Sequence, residues 1–511
     1  MRIDKLRIKN FRCFEHLEMP LNKNLNILVG INGAGKSTVL DALAVALGGY
    51  LSGFDDIKGN NIQTEDAHFK MFPAGSRIER QGQFPGEVYA EGEVQGGFAE
   101  KVEWQRELNG EGRRTTHGNL KDIIEYGRLL QQKVRNGDSQ CILPLVAYYG
   151  TGRLWLQKRN RNPYYPGEKL SRQMGYIDCL AAESNEKQMT QWFEKMTYIQ
   201  LQEGRPIPEL EAVKNAMKRC YLSVDSSIKN VQFAFDVKSG ELEGLIYRDD
   251  QTDKFPVRIL SDGEKGIISL VADIAYRMAL LNPDLLDRVL ETPGVVLIDE
   301  IDLHLHPSWQ KKVVQDLMCI FPNIQFVMTT HSPSILVNVP RENIWILDRY
   351  QICQPLGKTY GRTVGEVLQE VMDINVQPEE ILNLQQQFDD AIDSEDYMKA
   401  GKVLGKMKKI LGSDAKAVIE NQIVLDIEKN KCIRGVFFRT LKGIFFKRQD
   451  LNEGCHDSFN TGYRELITWA KLFKTNYYPA LMHKCFQYQN VDIQIFRSRK
   501  GAHDFVQKIL K

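Results

Sequence analysis

The sequence predicts an α/β chain built on short buried strands, and three observations carry that prediction. Gly30-Ile31-Asn32-Gly33-Ala34-Gly35-Lys36-Ser37 lies between an apolar run at residues 25–29 and a helical period of Val39, Leu40, Leu43 and Leu47. A second apolar run, residues 295–298, ends in the paired carboxylates Asp299 and Glu300. A third, residues 324–330, ends at His331-Ser332-Pro333. Short apolar runs bounded by turn residues are the pattern of buried strands, and a three-four apolar spacing is that of a helix.

Bulk properties set the outer limits. At 511 residues the chain has length for two to four domains, and 42% apolar with 26% charged residues is ordinary for a soluble globular protein. The absence of an eighteen-residue apolar run argues against a membrane span, and residues 1–8 alternate like a strand rather than forming a signal peptide. Nine scattered cysteines without a C-x-x-C fit reduced thiols, so a cytoplasmic protein is expected. The net charge of +1 hides an asymmetry: residues 431–511 carry 15 Lys and Arg against 6 Asp and Glu, which leaves −8 for the first 430 residues. A basic tail behind an acidic body suggests an anionic partner, with nucleic acid the expected one.

The glycine octapeptide reads G-x-x-x-x-G-K-S in a strand–loop–helix setting, which is a phosphate-binding loop. Glycines let successive N–H groups turn toward phosphate, and the helix N-terminus adds partial positive charge. Asn32, Gly33, Gly35, Lys36, Ser37 and Thr38 are the expected ATP-binding residues. Lys36 would neutralise the β- and γ-phosphates, while Ser37 would ligate Mg²⁺.

The acidic strand supplies the complementary chemistry. Asp299 would join Ser37 around Mg²⁺, and Glu300 would orient or deprotonate the attacking water. His331 follows the next strand, where a side chain suits contact with the γ-phosphate. Leu260-Ser261-Asp262-Gly263-Glu264-Lys265 precedes a helical pattern through Ile267, Leu270, Ile274 and Met278; Ser261 there is an N-cap and an anion seat.

In that order the four motifs resemble the heads of ABC-type P-loop ATPases over residues 1–350. The resemblance implies a two-lobed head that dimerises head-to-tail, each ATP held between the phosphate loop of one copy and Ser261, Gly263 and Glu264 of the other. It puts His331 in the switch-histidine place and residues 302–306 in the D-loop. Asp262 and Glu264 depart from the commonest signature, L-S-G-G-Q, as in DNA-associated heads rather than transporters. Gln63 and Asp66 are candidates for the Q-loop.

Ser261 follows Lys36 by 225 positions without sustained heptads between them, so the head has a short insert, about residues 154–255, and no long coiled coil. Within it, residues 231–237 and 242–247 read as a hairpin through Lys238-Ser239-Gly240, and residues 186–202 as an amphipathic helix. Short-insert heads of this kind resemble those of RecF, the OLD nucleases and phage-defence ATPases. Residues 143–155 and an amphipathic helical hairpin region at 360–430, broken at Asp393-Ser394-Glu395-Asp396, sharpen the resemblance to PtuA. That family is the ATPase of Septu defence systems and of some retrons. It implies a homodimer or larger assembly working beside a separate HNH nuclease of the PtuB kind, with a retron reverse transcriptase and RNA–DNA hybrid as further partners. A RecF-like DNA-repair ATPase and a self-contained ATP-dependent nuclease are the alternatives.

The third region, residues 431–511, sets Phe437-Phe438 and Phe445-Phe446 beside cations, which suits single-stranded nucleic acid and equally a core helix with solvated cations. An amphipathic membrane contact is a third reading. Cys455, His456, His483 and Cys485 are spaced too irregularly for a known zinc finger, and no nuclease set is legible. The chain is therefore expected to lack a nuclease of its own.

Overall fold

The computed structural model describes residues 1–94, 101–116, 118–154, 171–181, 186–222, 228–249, 251–372 and 377–429. Two compact units divide at Val376, and each is treated by itself.

The first unit is organised around a six-stranded sheet. Its strands run in the order Gln351–Cys353, Ile344–Asp348, Leu25–Val29, Ile324–Thr329, Gly294–Ile298 and Leu145–Tyr149. The last five are mutually parallel, and Gln351–Cys353 closes one edge antiparallel. Every residue of the strands Leu25–Val29, Ile324–Thr329, Gly294–Ile298 and Leu145–Tyr149 is buried, which is why these runs are almost wholly apolar; the polar Asn26 and Gln325 are buried there with hydrogen-bond partners. The run at 324–330 becomes a strand to Thr329, with Thr330 opening the turn toward His331.

A four-stranded antiparallel sheet forms a second layer, in the order Phe14–Pro20, Arg2–Phe11, Gly86–Glu93 and Lys101–Leu108. The Gly86–Glu93 strand alternates buried and half-buried residues, the signature of a sheet with one face on the core. The helix Lys36–Leu51 touches strands of both sheets and is buried almost all round. That position needs its apolar residues Val39, Leu40 and Ala42 to Leu47; the one charge among them, Asp41, is paired with Arg12. Trp104 and Arg106 fasten it: Trp104 Nε1 donates to Ala46 O at 2.9 Å, and Arg106 Nη1 to Val45 O at 3.3 Å. Burial pushes the Arg106 guanidinium down to about 10.

Within the insert, the expected hairpin forms from Asn230–Asp236 and Glu241–Tyr247, and Thr252–Pro256 adds a third strand that the pattern did not show. The helix Glu186–Glu203 matches the amphipathic stretch, and Pro208–Leu222 packs against the long helix Asp262–Leu281. A two-stranded ribbon, His68–Ala74 with Arg77–Gln83, lies between the phosphate-loop helix and the second sheet in sequence and was not anticipated.

The first unit also takes in Val364–Val371, capped by a reciprocal Thr363–Glu366 box, so it runs past residue 350. The second unit begins at Gln377 and is described to residue 429. Its described residues form the helices Glu379–Asp393, Tyr397–Leu411 and Lys416–Lys429, with the break at Asp393 to Asp396 where the sequence put it. Ile381, Leu384, Phe388, Val403, Leu404 and Met407 form its core. The aromatic and cationic pairs of the tail, and Cys455, His456, His483 and Cys485, lie outside the described residues.

Candidate active site

The phosphate loop leaves the buried strand Leu25–Val29 and enters the helix Lys36–Leu51 through three glycines, of which Gly30 and Gly35 have no room for a side chain and Gly33 is set by its backbone angle. A Cβ on Gly30 would stand 2.5 Å from Leu347 O, and one on Gly35 2.5 Å from the Phe14 ring. Gly33 and Gly35 have φ of 83° and 102°, the left-handed region that favours glycine. Gly35 is the helix N-cap, with no side-chain cap and no acidic residue in the first turn. The first N–H groups are thus left for an anion to satisfy.

Lys36 is buried and folds back over its own loop: Nζ donates to Gly30 O at 2.9 Å and Ile31 O at 3.0 Å. Burial lowers its pKa, while Asp299, Glu300 and Asp302 act to raise it. Asn32 and Gly33 are exposed on the loop, and the Thr38 hydroxyl lies 3.7 Å from the Cys13 thiol.

Asp299 closes the site from the end of the strand Gly294–Ile298, which lies one strand beyond Ile324–Thr329 in the sheet. Ser37 Oγ donates to Asp299 Oδ2 at 2.7 Å, and Thr329 Oγ1 to Asp299 Oδ1 at 2.6 Å. Its N–H donates to Tyr149 O at 2.8 Å. A carboxylate and a hydroxyl on one spot are hard oxygen donors suited to Mg²⁺, which commonly takes one or two protein oxygens and fills the rest with phosphate and water. That fits the absence, among the described residues, of any three-ligand His, Cys, Asp and Glu group.

Glu300 follows in the left-handed region, φ 47°, with its N–H donating to Thr329 Oγ1 at 2.7 Å. Such a conformation costs a non-glycine residue about 1–3 kcal/mol and concentrates at functional sites. Asp302 accepts from Thr330 Oγ1 at 2.6 Å and from the His331 N–H at 3.3 Å, so the D-loop carboxylate fixes the backbone of the histidine turn.

The signature segment is built differently from the loop. Ser261 caps Asp262–Leu281 in a reciprocal box: its Oγ accepts from Glu264 N at 3.3 Å, and the Glu264 carboxylate accepts from Ser261 N at 3.0 Å. Gly263 is required by close approach, since a Cβ there would lie 2.3 Å from His304 O. Ser261 is exposed at this helix start. Farther along the helix, Asp273 accepts from Tyr149 Oη at 2.8 Å and Arg277 Nε at 2.7 Å, tying it to the strand beside Asp299.

Sequence patterns missed a second tier of residues. Arg12 bonds to Asp41 on the phosphate-loop helix and, through Nε at 2.8 Å, to Asp66. Asp66 also accepts from Gln63 N at 2.8 Å, so of the two Q-loop candidates one is the buried support for Arg12 and the other its turn partner. Burial raises the Asp41 pKa, against the pull of Arg12 and a Tyr148 hydrogen bond. No spacing rule links residues so far apart; only the fold brings them together.

Strand–loop–helix beside a strand ending in Asp-Glu defines a P-loop ATPase, and matches to known families agree. An AAA domain model matches residues 5–221, and a second AAA domain model, described as putative AbiEii toxin, Type IV TA system, matches residues 222–338. The chain belongs to the AAA-family ATPases.

Within that class it is similar to retron ATPases and to Septu PtuA proteins. It is 28% identical to the retron Vc95 probable ATPase of Vibrio cholerae serotype O1 biovar El Tor, covering 77% of this chain and 84% of the relative. It is 27% identical to the retron Ec83 probable ATPase of Escherichia coli, over 84% and 87%. The Septu protein PtuA of Bacillus mycoides (strain KBAB4) is 27% identical over 65% of this chain and 38% of its own length. Among the described residues no helix is long and apolar enough to cross a membrane.

Proposed function

We propose that this chain is the ATP-binding and ATP-hydrolysing sensor subunit of a bacterial anti-phage defence complex, and that two copies close head-to-tail on Mg²⁺-ATP. The observation that carries the reading is the meeting of Ser37 and Asp299 beside Lys36 and Glu300. In this reading Lys36 moves from its loop carbonyls to the β- and γ-phosphates, and Asn32, Gly33, Gly35 and Thr38 complete the cradle. Ser37 and Asp299 hold Mg²⁺, which when bound neutralises phosphate charge. Glu300 accepts the proton as a water oxygen bonds to the γ-phosphorus and the bond to the bridging oxygen breaks. His331 contacts the γ-phosphate. Ser261, Gly263 and Glu264 of a second copy cover the nucleotide, which suits an exposed, capped helix start.

In this reading the governed partner is a separate HNH nuclease of the PtuB kind, and the setting is the cytoplasm; similarity to retron and Septu ATPases supports the choice of system. The basic tail, residues 431–511, is assigned to nucleic acid, with a retron RNA–DNA hybrid and reverse transcriptase as its setting. The head with its insert takes in residues 1–350 and the helix Val364–Val371, and the helices from residue 377 to 429 stand between head and tail in sequence.

Glu300→Gln is the first test. With its water-activating carboxylate gone, hydrolysis should fall by about 10²–10⁴-fold, and ATP should hold the closed pair long enough for size-exclusion with light scattering to read twice the chain mass. A variant that turns over ATP at the wild-type rate, or stays single with ATP, overturns the assignment.

A further inference from the structure

We propose that Tyr350 is the seat of the nucleotide base, an aromatic platform at the edge of the phosphate loop. The proposal rests on the reading that this loop holds the triphosphate. The strand Ile344–Asp348 runs parallel to the phosphate-loop strand, pairing Ile346 with Val29. Its end touches the loop itself, since Leu347 O occupies the space a side chain on Gly30 would need. There the chain reverses, Asp348 pairing with Gln351, through the two residues Arg349 and Tyr350.

Those two residues break the chemistry of such turns. Their φ angles are 47° and 62°, and a two-residue hairpin with both central φ positive is ordinarily made by Asn-Gly or Asp-Gly. An arginine and a tyrosine held there carry backbone strain, which gathers where a side chain has a task. The task is legible from what Tyr350 touches. The residue is 49% exposed, and its ring stands edge-to-face on Phe14, centroids 6.1 Å apart at 86°. Phe14 is itself buried and lies against Gly35, the glycine that opens the phosphate-loop helix. Tyr350, Phe14 and Gly35 thus form one continuous wall, braced at the far side by Leu347 against Gly30.

A triphosphate in the loop carries its ribose and base out toward a rim of this kind. Base rings gain from stacking on an aromatic face, and one already fixed by an edge contact loses little freedom on binding. Tyr350 is a binding residue here and takes no part in bond cleavage. The class of ligand is a purine nucleoside triphosphate.

The strained turn supplies a clean test. Tyr350→Gly removes the ring and places at φ 62° the residue that turn favours, so the variant keeps its fold; Tyr350→Phe keeps the ring. With the full chain, the KM for ATP should rise about tenfold in Tyr350→Gly, with kcat within twofold of wild type, and Tyr350→Phe should behave as wild type. Inorganic tripolyphosphate, competing for the same loop, should inhibit wild type and Tyr350→Gly equally. An unchanged KM in Tyr350→Gly overturns the proposal, and so does a Tyr350→Phe variant as weak as the glycine one. Failure of the underlying reading looks different: there Lys36→Ala would retain its response to both ATP and tripolyphosphate.

Discussion

Lys36→Ala is expected to lower ATP hydrolysis by at least ~10²–10³-fold, the scale of losing a preorganised donor to the developing phosphate charge. The ammonium now spans two neutral carbonyls, Gly30 O and Ile31 O. Phosphate oxygens are charged acceptors and make the stronger bonds, so binding ATP would be an exchange of partners for the ammonium. Alanine removes the donor, and colorimetric phosphate release should vanish; the Gly30 and Ile31 carbonyls lie on a partly exposed loop where water can replace it, so the fold is kept. Release at more than a tenth of the wild-type rate would remove Lys36 from the site.

Asp299→Asn is expected to be as damaging for another reason. The carboxylate accepts from Ser37 Oγ at 2.7 Å and Thr329 Oγ1 at 2.6 Å, and an amide keeps only one oxygen to share between those hydroxyls. It also removes the negative charge that favours Mg²⁺ and supports the charged form of the buried Lys36. Hydrolysis should fall by about 10²-fold or more. The distinguishing measurement is nucleotide affinity with and without Mg²⁺: wild type should bind more tightly with the ion, and Asp299→Asn should lose that gain. An undiminished gain would mean that the ion is held elsewhere.

Much of this site was legible because its parts are local. The loop spacing, the apolar run ending in Asp299 and Glu300, and the Ser261–Glu264 box each sit within a few residues, where periodicity and caps speak directly. The contacts that join those parts were not legible. Ser37 and Asp299 are 262 positions apart, Arg12 and Asp66 54, and Tyr149 and Asp273 124; each pair depends on how the sheet is threaded. Gly263 illustrates the difference. The sequence offers it as a nucleotide contact, while the fold adds a constraint from within the chain, the backbone of His304 passing where a side chain would be. The ribbon His68–Ala74 and Arg77–Gln83 escaped notice because Pro73 and Gly82 interrupt its alternation. Val364–Val371 and the helix Lys416–Lys429 are the additions beyond a simple helical hairpin; the first packs with the head and the second completes a three-helix core.

The central claim is that each ATP site takes its phosphate loop from one copy and its signature from another. Mixing two inactive variants tests it: Lys36→Ala, which spoils the loop, and Ser261→Arg, which blocks the signature. In a two-fold pair each mixed dimer contains one site with neither change, so a 1:1 mixture should regain about a quarter of wild-type hydrolysis by random pairing. A mixture as inactive as its components, although the two chains are shown by pull-down to associate, would contradict a shared site and leave each chain to work alone.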